Sequence, residues 1–372
     1  MKFLHLSDLH LGKRLNEFSL IEDQEYILSE IIKIAEDERP DGVFIAGDVY
    51  DKTVPSAEAV QLFDKFLCAL SELKIKVFII SGNHDSSERI AFGGRLMQSS
   101  GIYVAPVYGG KTEAVAMGDG VNIFMLPFIK PASVRRFFPD IESYTDALSS
   151  AIGQMKIKKE EFNILITHQF VTGAVTSDSE EISVGGTDNV SASVFAPFDY
   201  VALGHIHSPQ NIESERIRYS GTPLKYSFSE AKQEKSVTVL EIKGKNFDIR
   251  TIPLNPLRDL REIKGTYLEI TDRKNYINTN TNTNDYLHII LTDEEDIPEA
   301  LGKLRIIYPN LMKLSYDNKR TRSGSFVGTA EKVEEKTPIE LFMELYEKQN
   351  GEPMNTEQIE FVKSLMDEEA DL

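Results

Sequence analysis

The sequence holds one cysteine, Cys68, in 372 residues. No intrachain disulfide is therefore possible, and the chain suits a reducing compartment. No run reaches the ~18 uncharged apolar residues of a membrane span, so none is expected. The N-terminus, MKFLHLSDLH, puts His and Asp inside what would be the apolar region of a secretion signal. Cytoplasm is the expected compartment. Positive charge is also scarce: 41 Lys and Arg stand against 59 Asp and Glu, a net of -18. That argues against broad electrostatic affinity for nucleic acid or an anionic membrane. It does not exclude a nuclease, because metals or a partner protein can supply local positive charge. Half of the excess lies in residues 331–372, where 13 acidic and 4 basic residues give a net of -9.

What is present is ordinary for a globular chain, 41% hydrophobic and 27% charged. The length predicts one large domain with one or two smaller ones. KFLHLSD reads as a first strand. Residues 20–38 carry Ile21, Ile27, Leu28, Ile31, Ile32 and Ile34 at helical spacing. GVFIAGD is a second strand, and SAEAVQLFDKFLCALSELK a second helix capped by Ser56. Cys68 falls in that helix, where a buried small hydrophobe is expected. KVFIISGNHD is a third strand. Strand–helix alternation with β-branched strands predicts an α/β layered domain around a buried sheet.

NIFMLPF, FNILITHQF and YVALGHIHS read as later strands. IRYSGTP, SVTVLEIKG and FDIRTIPL then read as an antiparallel meander. PLNPLRDLREIKG reads as a linker, with a boundary near residues 254–262. Beyond it, GTYLEITD and DYLHIILTD read as strands around an exposed Asn/Thr loop, NYINTNTNTND. A short helix and a strand follow, which makes residues 263–330 a small α+β domain. Residues 250–322 carry twelve basic and eleven acidic residues, near neutral in an acidic chain. Two amphipathic helices close the chain over 337–370. One is capped by Thr337, Pro338 and Glu340 with the stripe Ile339, Phe342, Leu345 and Tyr346. The other is capped by Asn355 and Gln358 with the stripe Ile359, Val362, Leu365 and Met366.

The chemistry lies at strand ends. His10, His84, His168, His205 and His207 close or follow apolar strands, in SDLH, GNHD, THQ and GHIH, and GDVYD adds Asp48. In an open α/β sheet, ligands bind beyond the carboxyl ends of strands. These segments are therefore expected to meet at one edge of one sheet. Asp8, Asp48 and Asn83 offer oxygen, while His10, His168, His205 and His207 offer nitrogen. This donor mix suits two divalent cations, with the two oxygens of Asp48 able to bridge. Such a pair clamps a phosphate and lowers the pKa of a water, so the predicted reaction is metal-assisted phosphoester hydrolysis. Gly47, Gly82 and Gly204 would let the backbone turn where the ligands converge. His84 follows a ligand and should face the substrate, to stabilise charge or protonate the leaving oxygen. Asp85 either orients His84 and raises its pKa or caps the next helix. His5 is expected in the core or between layers, and His288 against solvent or a neighbouring strand.

These motifs, Asp8-x-His10, Gly47-Asp48, GNHD at 82–85, His168 and GHIH at 204–207, resemble the calcineurin-like metallophosphoesterases over residues 1–210. KFLHLSDLHLGK, PDGVFIAGDVYDKTVPS, GNHDSSERIAFG, ALGHIHSPQ and YSGTPLKYSFSE narrow the likeness to the nuclease subunits of bacterial SbcCD complexes. The resemblance implies a four-layer α/β sandwich over 1–255, a small capping domain at 263–330 and a helical pair at 337–370 for a partner. It implies a manganese-dependent DNA exonuclease and endonuclease that dimerises and works with an SbcC-type ABC ATPase carrying a coiled coil. It assigns one Mn²⁺ to Asp8, His10, Asp48 and His207. The other goes to Asp48, Asn83, His168 and His205, and His84 is the non-ligand catalytic histidine. The helices at 56–73 and 88–100 both offer a dimer surface. Lys319, Arg320 and Arg322 could touch DNA phosphates. A phosphoesterase acting on nucleotides or phosphoproteins is the alternative enzyme. An inactive recruiting scaffold is a third reading, opposed by the complete ligand set.

Overall fold

The structure, a computed structural model, describes residues 1–180, 188–277, 282–319, 321, 339, 342–343, 345–347, 353–356, 358–359 and 361–362. The chain divides into two compact units. The first comprises Met1–Glu262, Asn282–His288 and Leu304–Lys313. The second comprises Ile263–Thr281, Ile289–Lys303 and Leu314–Leu372.

Two six-stranded sheets organise the first unit. One runs in the order Asn246–Pro253, Ser236–Lys243, Lys2–Leu6, Gly42–Ala46, Lys76–Ile80 and Ile102–Val104. The other runs Gln210–Ile212, Ser214–Tyr219, Tyr200–Gly204, Phe162–His168, Val121–Leu126 and Ala114–Gly118. The central strands of both are parallel.

Strand alternation explains the layering, because successive side chains point to opposite faces. Phe3, Phe44 and Phe78 enter a core shared with Ile123, Ile164, Ile166 and Tyr200 of the second sheet. The intervening Leu4, Val43, Ile45, Val77 and Ile79 pack against helices Ile21–Glu38 and Ala57–Glu72. On the far side, Leu165 and Val201 pack against helix Tyr144–Gly153 through Leu148 and Ala151. The result is a helix–sheet–sheet–helix sandwich. Both faces of each central strand are buried, so these strands read as unbroken apolar runs.

Several local expectations are corrected. IRYSGTP does not join SVTVLEIKG and FDIRTIPL in one meander: Ser214–Tyr219 lies in the second sheet, parallel to Tyr200–Gly204 and antiparallel to Gln210–Ile212, while Ser236–Lys243 and Asn246–Pro253 form an antiparallel hairpin in the first. LREIKG is a strand, Leu260–Gly265, in a three-stranded sheet with Tyr286–Leu291 and Leu311–Tyr316. YLEIT is a helix, because Thr266 caps it and the Glu269 carboxylate returns the bond to the Thr266 N–H. Cys68 is exposed. The buried stripe of its helix is Ala59, Leu62, Phe63, Phe66, Leu67 and Leu70, and position 68 falls off that face. The expected cap of Asp85 on the next helix belongs instead to Ser86, whose Oγ accepts from Arg89 N.

His5 and His288 lie where expected. His5 is fully buried between the sheets, with Nδ1 3.0 Å from the Tyr200 hydroxyl and Nε2 3.1 Å from the Leu203 carbonyl. His288 Nδ1 lies 2.8 Å from Glu262 Oε1 on the neighbouring strand. In the C-terminal region, Asn355 and Gln358 exchange their capping bonds at 2.9 Å each, and Gln358 Nε2 donates to the Tyr346 hydroxyl. Thr337, Pro338, Glu340, Leu365, Met366, Arg320 and Arg322 lie outside the described residues, as does part of the Asn/Thr tract.

Candidate metal centre

The motif segments meet at the carboxyl ends of both sheets, not at the edge of one. Asp8 and His10 follow Lys2–Leu6, Asp48 follows Gly42–Ala46, and Asn83 and His84 follow Lys76–Ile80. His168 ends Phe162–His168 in the other sheet, and His205 and His207 follow Tyr200–Gly204. Cross-sheet bonds tie the two edges together: His205 N donates to Asp8 Oδ1 at 3.0 Å, and His168 Nδ1 lies 2.8 Å from the Ala46 carbonyl. Such contact requires small residues. A Cβ on Gly204 would overlap the Ala46 carbonyl oxygen, and one on Gly82 would overlap the Asp48 carboxylate. Close approach is thus the reason for glycine at these two positions; only Gly47, with φ of +87°, also needs the left-handed region.

Four of the candidate donors adopt positive φ without being glycine: Asp8 at +53°, His10 at +44°, Asp48 at +47° and His205 at +105°. Asp and His tolerate this region better than most side chains, yet it remains strained. Neighbouring groups hold the loops in place. Gln24, on the first helix, accepts from Gly12 N at 2.9 Å and donates to the His10 carbonyl at 2.8 Å. Tyr226 donates to the Leu9 carbonyl at 2.6 Å. Asp85 accepts from the backbone N–H groups of Val49, Tyr50 and Gly82, each at 3.0 Å. Its carboxylate therefore braces the two loops that carry Asp48 and Asn83, while the helix cap, its alternative role, is supplied by Ser86.

The donors converge in groups whose atoms lie within 4.8 Å of one another: Asp8, His10 and His207; His10, Asp48 and His84; Asp8, Asp48 and His168. Asp48 Oδ2 is central, 3.3 Å from His168 Nε2, 3.7 Å from His10 Nε2 and 3.9 Å from His84 Nε2. Asn83 Oδ1 lies 2.9 Å from both His168 Nε2 and His205 Nδ1. His10 Nε2 faces His207 Nε2 at 3.1 Å. His84 is less buried, with Nδ1 3.2 Å from the Asp51 carbonyl.

The donor chemistry fits divalent cations. The Ala46 carbonyl fixes a proton on His168 Nδ1, which leaves Nε2 of the neutral ring bare beside Asn83 Oδ1 and Asp48 Oδ2. Three lone-pair donors then face one another, and either a proton or a cation must lie among them. Among the described residues, buried His10 Nδ1 has no hydrogen-bond partner. The charges tell the same story. Burial pushes the Asp8 carboxyl up to about 6, against the pull of His168 and His207. Burial holds His10 well below the ordinary imidazole range and His205 down to about 3. Burial opposes charge on His168 too, but Asp48 outweighs it and raises the ring to about 9. Asp48 is correspondingly held low by His168, against its own burial.

Further groups complete the site: Asp51, Gln24, Tyr226 and, behind His207, Ser179, Glu230 and Lys235. Asp51 ends GDVYD, and Tyr226 and Glu230 lie in YSGTPLKYSFSE, so these three fall in stretches that carry the resemblance. Gln24, Ser179 and Lys235 carry no spacing signal and are joined to the site only by the fold.

Residues 1–209 match the calcineurin-like phosphoesterase family, and the chain belongs to it. Residues 256–350 match a family described as the type 5 capsule protein repressor C-terminal domain. The chain is also 37% identical, over 376 residues and 98% of both sequences, to the SbcD subunit of the nuclease SbcCD of Staphylococcus epidermidis. It is a homologue of that nuclease subunit, with the phosphoesterase fold joined to the second family's domain. Similar solved structures include a dimetal phosphatase from Danio rerio, at 11% identity and TM-score 0.42 over 68% of this chain and 99% of that one. Another is a protein of Thermus thermophilus, at 13% identity and TM-score 0.39 over 67% and 98%. Family and donor cluster together define a metal-dependent hydrolase of the phosphoesterase class. Among the described residues, no helix is long and apolar enough to cross a membrane.

Proposed function

We propose that this chain is the nuclease subunit of an SbcCD-type complex, hydrolysing DNA phosphodiesters at duplex ends, hairpins and single strands with two Mn²⁺ ions. Near full-length similarity to an SbcD nuclease subunit carries this reading, since it includes the region beyond the phosphoesterase fold. One ion would be held by Asp8, His10, Asp48 and His207, the other by Asp48, Asn83, His168 and His205. When bound, the cations neutralise phosphate charge and make a water acidic enough to be a nucleophile at neutral pH.

The chain's own groups do the rest. Asp48, with one oxygen amid three imidazoles, would be a ligand common to both ions; its other oxygen accepts from His84 N at 2.9 Å. That bond fixes the His84 backbone beside the cluster. With Nδ1–H directed to the Asp51 carbonyl, Nε2 of an imidazolium His84 is the atom that delivers a proton to the leaving oxygen. Asp85 keeps the loops of Asp48 and Asn83 in register. A homodimer is the proposed assembly, residues 263–330 the capping domain, and the helical region within 337–370 the docking element for an SbcC-type ABC ATPase. Phe342, Leu345 and Phe361, all more than a third exposed, support that last assignment. Exposed Lys319 supports a contact to DNA phosphate.

The test is cleavage of a labelled hairpin-ended duplex and a matching single strand, with Mn²⁺ or EDTA, with and without the ATPase partner and ATP. His84→Ala is expected to lower cleavage by about 10²–10⁴-fold while Mn²⁺ still binds. Turnover of a chromogenic phosphodiester without DNA cleavage, even with the partner, would favour the alternative enzyme acting on nucleotides or phosphoproteins.

A further inference from the structure

His207 is held from behind by a buried polar chain. Its Nδ1 lies 2.7 Å from Ser179 Oγ, and that hydroxyl donates to Glu230 Oε1. Glu230 Oε2 accepts from Lys235 Nζ at 2.6 Å. The same ammonium donates to Gln233 Oε1 and to the His207 carbonyl, each at 2.8 Å. Glu230 is fully buried and Lys235 is 5% exposed. The 2.6 Å contact with the Lys235 ammonium makes Glu230 the carboxylate of a buried ion pair.

The protons in this chain can be counted. An ionised carboxylate only accepts, and a hydroxyl has one proton to give. Lys235 directs three protons to three acceptors. Ser179 gives its proton to Glu230, and Ser177, whose Oγ lies 2.9 Å from Ser179 Oγ, gives its own to Glu180 Oε2, so no hydroxyl proton is left for His207 Nδ1 and the Ser179 oxygen must accept from that ring. The proton on His207 therefore sits on Nδ1, and Nε2 is left bare, facing His10 Nε2 at 3.1 Å. Carboxylates placed behind metal-binding histidines fix the ring's tautomer in this way elsewhere. Glu230 and Lys235 lie between the two segments that match families, 1–209 and 256–350.

We propose that Ser179, Glu230 and Lys235 are positioning residues that lock His207 in its Nδ1–H tautomer and so present Nε2 as the metal donor. The inference rests on the two-cation reading of the site. Lys235 also ties the His207 backbone to the carboxylate that orders its ring, so ring and main chain are fixed by one ion pair.

Two readouts test it on the full-length chain. In the first, ¹⁵N-histidine spectra of the metal-free protein read the His207 tautomer, assigned by comparison with His207→Gln. The proposal expects a protonated Nδ1 and a bare Nε2; a protonated Nε2 overturns it without any relay variant. In the second, Mn²⁺ titration calorimetry compares wild type, Ser179→Ala and the double variant Glu230→Leu/Lys235→Met, which removes both charges together so that neither is left buried alone. The double variant is expected to weaken one of the two ions about 10–100-fold. Ser179→Ala should weaken it less, because Glu230 Oε1 is already 3.6 Å from His207 Nδ1 and can take over as acceptor. The reverse ranking, or affinities within twofold of wild type in both, overturns the relay. Failure of wild type to bind two ions would instead strike the proposed function, while the tautomer still judges the relay by itself.

Discussion

His5 should make this protein lose stability in mild acid. The ring sits between two sheets, and burial holds its pKa down at about 3, aided by the nearby Arg218 charge. Unfolded, the same ring titrates near 6.5. Between these values the unfolded chain binds the proton and the folded chain does not, so stability falls as pH falls. The contribution is complete above 6.5 and shrinks on acidification. Each unit below 6.5 removes about 1.4 kcal/mol, so the step from pH 7.5 to 5.5 removes about 1.4 kcal/mol from this group alone. Other titrating groups contribute to the total, which is why the comparison must be differential. His5→Gln can still bond to Tyr200 and Leu203 but does not titrate. Urea unfolding followed by circular dichroism, in EDTA at both pH values, should show wild type losing about 1.4 kcal/mol more than His5→Gln. Equal losses would refute the reasoning, and would mean that the interlayer space admits an imidazolium.

Two further outcomes can be checked directly. Gly204→Ala should prevent the two sheet edges from closing, because its Cβ would overlap the Ala46 carbonyl; loss of soluble protein or a sharply lowered thermal midpoint is expected. Cys68 should react with a thiol reagent in the native protein at the rate of an exposed cysteine, and slow modification that accelerates on unfolding would contradict its position.

Much of the site is readable in the sequence because each motif pairs an apolar strand with donors just past its end, and chain direction then places those donors at a common level. The strands themselves are readable for the same reason: two-sided burial leaves uninterrupted apolar runs such as VFIA and ILIT. What periodicity does not encode is which strands are neighbours. Ser214–Tyr219 looks like the start of a hairpin series, yet it pairs in parallel with Tyr200–Gly204. The segment after Thr266 reads as a strand because a short run of Tyr, Leu and Ile suits one, until the cap and Glu269 are weighed. The site contacts of Gln24 and Lys235, and of Tyr226 and Glu230 within YSGTPLKYSFSE, are hidden for a different reason. Each reaches the site through long-range bonds, and a lone polar residue in a helix or turn has no pattern to reveal it.

The positive φ angles of Asp8, His10, Asp48 and His205 bear on how knock-out variants should be chosen. Alanine at any of these positions does two things at once. It deletes a donor, and it places a methyl-bearing residue in a backbone region that Asp, Asn and His tolerate better. A dead Asp48→Ala protein would therefore not reveal whether charge or loop geometry was lost. Asp48→Asn keeps the shape and the local backbone preference while removing the charge, and His10→Asn does the same more coarsely for the ring. Comparing each pair, alanine against asparagine, separates the chemistry of a ligand from the architecture that presents it.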